Sequence, residues 1–314
     1  MDKISIIVPC YNEEECLPYF YEKISGMVAQ MEEVEYELIF INDGSNDNSL
    51  HILKEISSSN PKVKFISFTR NFGKEAAMLA GLHKATGDFV VIMDSDLQHP
   101  VHLLPEMYQA LKHEGFDSAC AIRRDRKNDG KLRSLLTKHF YNIINKISEV
   151  EMVDGAGDYR MMSRKMVDSI LSFKEYNRYS KGLFSFVGFK SKMIPYDNVQ
   201  RITGETKWSL FSLTKYAFEG MISFSSVPLV LSSFCGLIIC LLAFVLAIYI
   251  ACKTLLFGNP TDGYTTLVCI ILMIGGMQML FLGIIGQYLS KIYMEAKRRP
   301  IYIVQETNME PTSK

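Results

Sequence analysis

Between residues 4 and 120, short apolar runs alternate with amphipathic stretches. The runs at 4–8, 36–42, 63–68, 89–93 and 117–122 are of strand length, rich in branched and aromatic residues, and bounded by polar or turn-forming positions. Strands alternating with segments of helical period predict a parallel α/β sheet. Such sheets bind ligands outside the C-terminal ends of their strands. Tyr11-Asn12-Glu13, Asp43-Gly44-Ser45 and Asp94-Ser95-Asp96 all stand at those ends, so one crevice is expected to collect them.

Beyond residue 130 the pattern changes. At 131–147, Leu132, Leu135, Leu136, Phe140, Ile143 and Ile147 recur at helical spacing opposite Arg133, Thr137, Asn142 and Lys146. At 207–223, Trp208, Phe211, Phe218 and Ile222 oppose Ser209, Ser212, Lys215 and Glu219. Each stretch suits either a helix lying in a membrane interface or an ordinary helix packed on the sheet. The segments 227–252 and 264–290 are uncharged throughout and exceed the roughly 20 residues that cross a bilayer, which predicts two transmembrane helices. Only Lys253 and Asp262 lie between them, whereas Lys207 and Lys215 precede and Lys291, Lys297, Arg298 and Arg299 follow. That asymmetry places both termini in the cytoplasm, with a cytoplasmic domain over 1–206 and a tail over 291–314. The tail is polar after Val304 and is expected to be disordered.

Composition narrows the classes. Lysine plus arginine and aspartate plus glutamate both number 34, so no overall charge points to a nucleic-acid partner. The seven cysteines form no C-x-x-C pair and read as small hydrophobes rather than disulfides or zinc ligands. The apolar run at 4–8 is cut by Pro9 and is too short for a signal-peptide core. A transporter is disfavoured because neither long span carries an ionisable residue, Gln278 being the most polar position inside them.

Candidate chemistry begins at Asp94 and Asp96, whose carboxylates suit a hard divalent cation, with Gln98 offering a further oxygen. A lone D-x-D is commonly a solvated turn; its place after a buried strand, beside two other polar strand ends, favours the metal. The weaker alternatives are that Asp43-Gly44-Ser45 is a plain turn or helix cap and Lys74 a solvated helix lysine.

Taken in order, Ile6-Ile7-Val8-Pro9-Cys10-Tyr11-Asn12-Glu13-Glu14, Asn42-Asp43-Gly44-Ser45, Arg70-Asn71-Phe72-Gly73-Lys74 and Asp94-Ser95-Asp96-Leu97-Gln98-His99-Pro100 resemble the signature of family 2 glycosyltransferases. More narrowly the chain resembles their polyprenyl-phosphate branch, from residue 4 to about 300. The resemblance implies a GT-A, Rossmann-like α/β domain with interfacial amphipathic helices and two C-terminal transmembrane helices. It implies that Pro9, Tyr11, Glu13, Asp43, Lys74 and Asp94 hold a UDP-sugar, while Asp94, Asp96 and Gln98 bind Mg²⁺ or Mn²⁺. It implies Asp96 and Asp158 as catalytic residues, Asp158 lying directly before an aromatic-Arg pair and preferred on that match to Asp154. It also implies a polyprenyl-phosphate acceptor, undecaprenyl phosphate in a bacterium, and a homotetramer.

A lipid phosphate beside a sugar diphosphate needs cations against the repulsion. Arg123, Arg133, Arg201 and Lys207 are the candidates, with Thr137 one turn from Arg133. Arg201-Ile202-Thr203-Gly204-Glu205-Thr206-Lys207-Trp208 resembles a family segment, whereas Arg124, Arg126 and Lys127 read as a solvated or lipid-facing cluster. Glucose is the first expected sugar and N-acetylglucosamine the second, with GDP-mannose as the alternative donor. A processive polysaccharide synthase is disfavoured because the one tryptophan, Trp208, lies outside any Q-x-x-R-W pattern. An inactive membrane scaffold is the reading of another class.

Overall fold

The computed structural model describes residues 1–123, 156–196, 227–257 and 263–310. The amphipathic stretches 131–147 and 207–223, and with them Arg133, Thr137, Arg201 and Lys207, lie outside the described residues.

Eight strands form one sheet in the order β7-β5-β6-β4-β1-β2-β3-β8: β1 (Asp2–Cys10), β2 (Val34–Asn42), β3 (Val63–Phe68), β4 (Phe89–Ile92), β5 (Ser118–Arg123), β6 (Ala156–Ser163), β7 (Ser191–Tyr196) and β8 (Val304–Thr307). The five strands read from the sequence are all present. The sheet is mixed rather than parallel, because β6 runs antiparallel to β4 and β5, and β8 antiparallel to β3. The expectation of a disordered tail is corrected by β8. Thr307 Oγ1 donates to the Phe65 carbonyl at 2.6 Å, and the Asn308 amide pairs with Phe65 N and Val63 O at 2.8 and 3.1 Å. A polar composition cannot bury a core, but it can satisfy an otherwise open strand edge.

Both faces of the central sheet are covered, which is why its strands are nearly continuously apolar. Ile6, Val8 and Phe40 point to one side, against α1 (Leu17–Val28) and α4 (Leu104–Lys112). Ile7, Ile39 and Ile41 point to the other, against α3 (Lys74–Lys84) and α5 (Arg164–Ser172). At Gly81 an added Cβ would stand 2.3 Å from Ile7 Cγ2, so glycine sets how closely α3 approaches β1. Among the described residues this part also holds α2 (Ser49–Ser59) and α6 (Ser180–Phe186).

Two long helices follow, α7 (Val227–Phe257) and α8 (Tyr264–Lys297). They turn large apolar side chains outward, among them Phe234, Leu241 and Val245 on α7 and Met273, Met279 and Leu282 on α8. Among the described residues one stretch, Met273–Lys297, is long and apolar enough to cross a membrane.

Candidate active site

The strand order reverses between β4 and β1. From β1 the chain builds outward through β2 and β3, then returns to place β4 on the other side of β1. The crevice at such a reversal is where open α/β sheets bind ligands, and the loops after β1, β2 and β4 meet there. The first two are laced together: Asn12 N donates to Ser45 Oγ and Glu13 N to Ser49 Oγ, both at 2.9 Å, while Asn46 N donates to Asn12 Oδ1 at 2.9 Å. Pro9 is buried inside β1, Tyr11 is exposed just past its end, and the Glu13 carbonyl accepts from Cys16 and Leu17 as α1 begins.

Asp43 has a role the sequence did not show. One of its oxygens accepts from Phe72 N at 2.7 Å and the other from Gly73 N at 2.9 Å, so it fixes the loop after β3. Burial raises its carboxyl pKa, and those two amides and Arg70 offset only part of the rise. Gly44 makes the approach possible: its φ is +66°, and an added Cβ would lie 2.3 Å from the Arg70 carbonyl carbon. Gly73, at φ +97°, then turns the chain into α3, whose first residue is Lys74.

The Lys74 ammonium lies 2.6 Å from Asp94 Oδ1 and 2.8 Å from Asp158 Oδ2. The sheet register explains the meeting. Ile92 on β4 pairs with Arg160 on antiparallel β6, and continuing that register two residues sets Asp94 opposite Asp158. Two carboxylates at that spacing repel, and the lysine between them relieves the repulsion. Burial alone would raise Asp158, but Lys74 first, then Lys181 and Arg160, outweigh it and hold its carboxyl at about 2. Desolvation alone would lower Lys74; Asp94 and Asp158 reverse that and raise it.

Behind this cluster, Glu75 accepts from Ser180 N at 3.1 Å and from the Ser180 hydroxyl at the start of α6. Burial first, and then the Asp158 charge, push its carboxyl up to about 7 against the Ser180 donors. Arg160 is buried with its guanidinium 4.2 Å over the Phe184 ring. His99 stacks on Tyr159 at 5.0 Å. Glu75 has no place in the sequence motifs, and Arg160 and His99 enter them without a role of their own. The signal for Arg160 was present, since Asp158 and Arg160 stand two apart and so share one face of a strand.

Asp96 Oδ1 accepts from Gln98 N at 3.1 Å, across a turn that holds Leu97 at φ +57°. Among the described residues no cluster of three or more metal-ligating side chains occurs. A pair of carboxylates on one turn fits a hard cation that completes its shell with phosphate oxygens and water rather than a protein cage. Asp94, Asp96 and Gln98 stand together on the turn that follows β4, with one oxygen of Asp94 turned to Lys74. Arg123 ends β5, two strands from β4, paired with Tyr196 of β7.

Residues 5–171 match the family described as Glycosyl transferase family 2. The chain is 44% identical over 98% of its length to a putative glycosyltransferase, CsbB, of Bacillus subtilis (strain 168), covering 92% of that protein. It is 40% identical over 96% of its length to a prophage bactoprenol glucosyl transferase homolog of Escherichia coli (strain K12), covering 98% of it. A bactoprenol glucosyl transferase of Shigella phage SfII is 39% identical, with 98% of both chains covered.

Proposed function

The chain belongs to glycosyl transferase family 2, and on that premise we propose that it moves one glucose from UDP-glucose to a polyprenyl phosphate, with inversion at the anomeric carbon. It is a glycosyltransferase of GT-A, Rossmann-like fold with a mixed sheet. The observation that carries the finer reading is Asp94 and Asp158, brought opposite each other at the sheet's reversal and bridged by Lys74. The lipid acceptor rests on the relatives named as bactoprenol glucosyl transferases.

In this reading Pro9, Tyr11, Glu13 and Asp43 line the nucleotide end of the crevice, with Lys74 and Asp94 at the diphosphate. Asp94, Asp96 and Gln98 would hold Mg²⁺ or Mn²⁺, which supplies charge neutralisation for the leaving diphosphate when bound. A phosphate monoester, with a second pKa of about 6, is already largely dianionic at neutral pH and needs no base to become a nucleophile. Its oxygen bonds to the anomeric carbon as the bond to the diphosphate oxygen breaks, and the electron pair leaves with UDP. Asp158, held ionised, orients the acceptor end, and Lys74 offsets the charge gathered between the two phosphates. Arg123, Arg133, Thr137, Arg201 and Lys207 complete the acceptor side. The segments 227–252 and 264–290 both span the membrane, with the catalytic domain cytoplasmic, and the chain works as a homotetramer.

The test is transfer from labelled UDP-glucose, UDP-N-acetylglucosamine and GDP-mannose to undecaprenyl phosphate by the detergent-purified protein, with Mg²⁺ or Mn²⁺ and with EDTA. A glucosyl lipid of inverted configuration that disappears with EDTA is expected. A mannosyl product would replace the donor assignment, retention would overturn the single displacement, and no product from any donor would favour an inactive scaffold.

A further inference from the structure

The segment 176–180 is held at both ends by carboxylates from distant helices. At one end Glu295, near the C-terminus of α8, accepts from Tyr176 N at 2.8 Å and Asn177 N at 3.1 Å through the same oxygen. Asn177 Nδ2 reaches back to the Lys291 carbonyl on the same helix at 3.5 Å. At the other end Glu75 accepts from Ser180 N and the Ser180 hydroxyl. Between them Arg178 donates to the Phe173 carbonyl at 2.9 Å, tying the segment to the end of α5. Glu75 is the neighbour of Lys74 on the first turn of α3, and Lys74 bridges Asp94 and Asp158.

A short, backbone-gripped strap therefore runs from the end of the apolar stretch Met273–Lys297 to the helix that carries Lys74. We propose that Glu295 and Glu75 are positioning residues that set the height of the Lys74–Asp94–Asp158 cluster above the membrane, so that an acceptor phosphate anchored in lipid arrives in register with it. The inference rests on the lipid-acceptor reading above. Its physical need is plain: an acceptor fixed in a bilayer cannot adjust its depth freely, and misplacement of a reacting group by about 1 Å costs roughly 10²-fold in rate. An acceptor free in water has no such constraint. Backbone amides suit the task because a carboxylate that accepts from them holds the chain itself rather than a side chain of the segment.

Glu295→Ala in the full-length protein tests this in two ways. In vesicles of phosphatidylethanolamine and phosphatidylglycerol, transfer to embedded undecaprenyl phosphate should fall about fivefold to tenfold, while transfer to a short-chain, water-soluble isoprenyl phosphate stays within about twofold. Equal loss with both acceptors, or loss with neither, overturns the proposal. Amide hydrogen exchange, which needs no activity, should rise at 176–180 and also in the first turn of α3; a rise confined to 176–177 overturns the coupling. Glu75→Gln should raise exchange across the same residues from the other end. If the wild-type protein glycosylates neither acceptor, the lipid-transferase reading fails, and the exchange measurements still decide whether the strap couples α8 to α3.

Discussion

At the scale of single residues, the site is a problem in holding like charges together. Asp158 stays ionised in a half-buried place because the Lys74 ammonium is 2.8 Å away, and removing its charge should disturb the acceptor end more than the donor end. Asp158→Asn is expected to lower kcat for lipid transfer by about 10²-fold while UDP binding, measured by calorimetry, changes little. Asp94→Asn should instead raise the Mn²⁺ concentration needed for half-maximal transfer. Each of these residues was legible from motif and strand-end position; their contact was not. Gly155-Ala156-Gly157 reads locally as a flexible segment, and only pairing with β4 and β5 makes Ala156–Ser163 a strand that brings Asp158 to Asp94. Glu75 was illegible for a similar reason, since its partner Ser180 lies 105 residues away. Its carboxyl, raised from 4.5 to about 7 chiefly by burial, binds a proton more tightly folded than unfolded. Stability should therefore fall as pH rises from about 4.5 to about 7, by an amount on the order of 3 kcal/mol at full ionisation. Glu75→Gln cannot ionise, so the difference in melting temperature between wild type and variant should move in the variant's favour across that window; a difference independent of pH would refute the assignment.

At the scale of elements, apolar runs predicted strands well where both faces are buried, and failed where a strand draws its stability from an edge. β8 has no apolar pattern, since Val304, Gln305, Glu306 and Thr307 pack little hydrophobic surface. It exists because β3 offers unpaired backbone groups and because Tyr302, stacked on Phe68 at 5.0 Å, delivers the chain there. Long-range pairing of this kind leaves almost no trace in a local window of sequence. Asn308 closes the arrangement with both halves of its amide. Asn308→Ala should cost about 1–3 kcal/mol, the sum of two hydrogen bonds, measured as a shift of the denaturation midpoint with unchanged slope. No shift would mean that the β3–β8 edge contributes nothing to the cooperative fold.

At the scale of the whole molecule, a reaction between a water-soluble donor and a lipid acceptor requires the crevice to sit on the side of the membrane where the nucleotide sugar is. The uncharged segments 227–252 and 264–290 and the cations flanking them argue for a hairpin that returns the chain to its starting side. The fold adds an independent constraint. The chain leaves α8 at Lys297 and within a few residues pairs as β8 with β3 of the catalytic sheet. The end of α8 and the catalytic domain must therefore share one side, whatever the charge rule says. In that hairpin Gly263, which precedes α8, lies on the opposite side from Glu310, just past β8. In a cysteine-free background and intact cells, Gly263→Cys should react with a membrane-impermeant maleimide, and Glu310→Cys only after the membrane is permeabilised. Labelling of both from outside would place the catalytic domain outside the cell, away from cytoplasmic nucleotide sugars. Protection of both would mean that the segment 227–252 does not cross, leaving α8 alone to reach the bilayer.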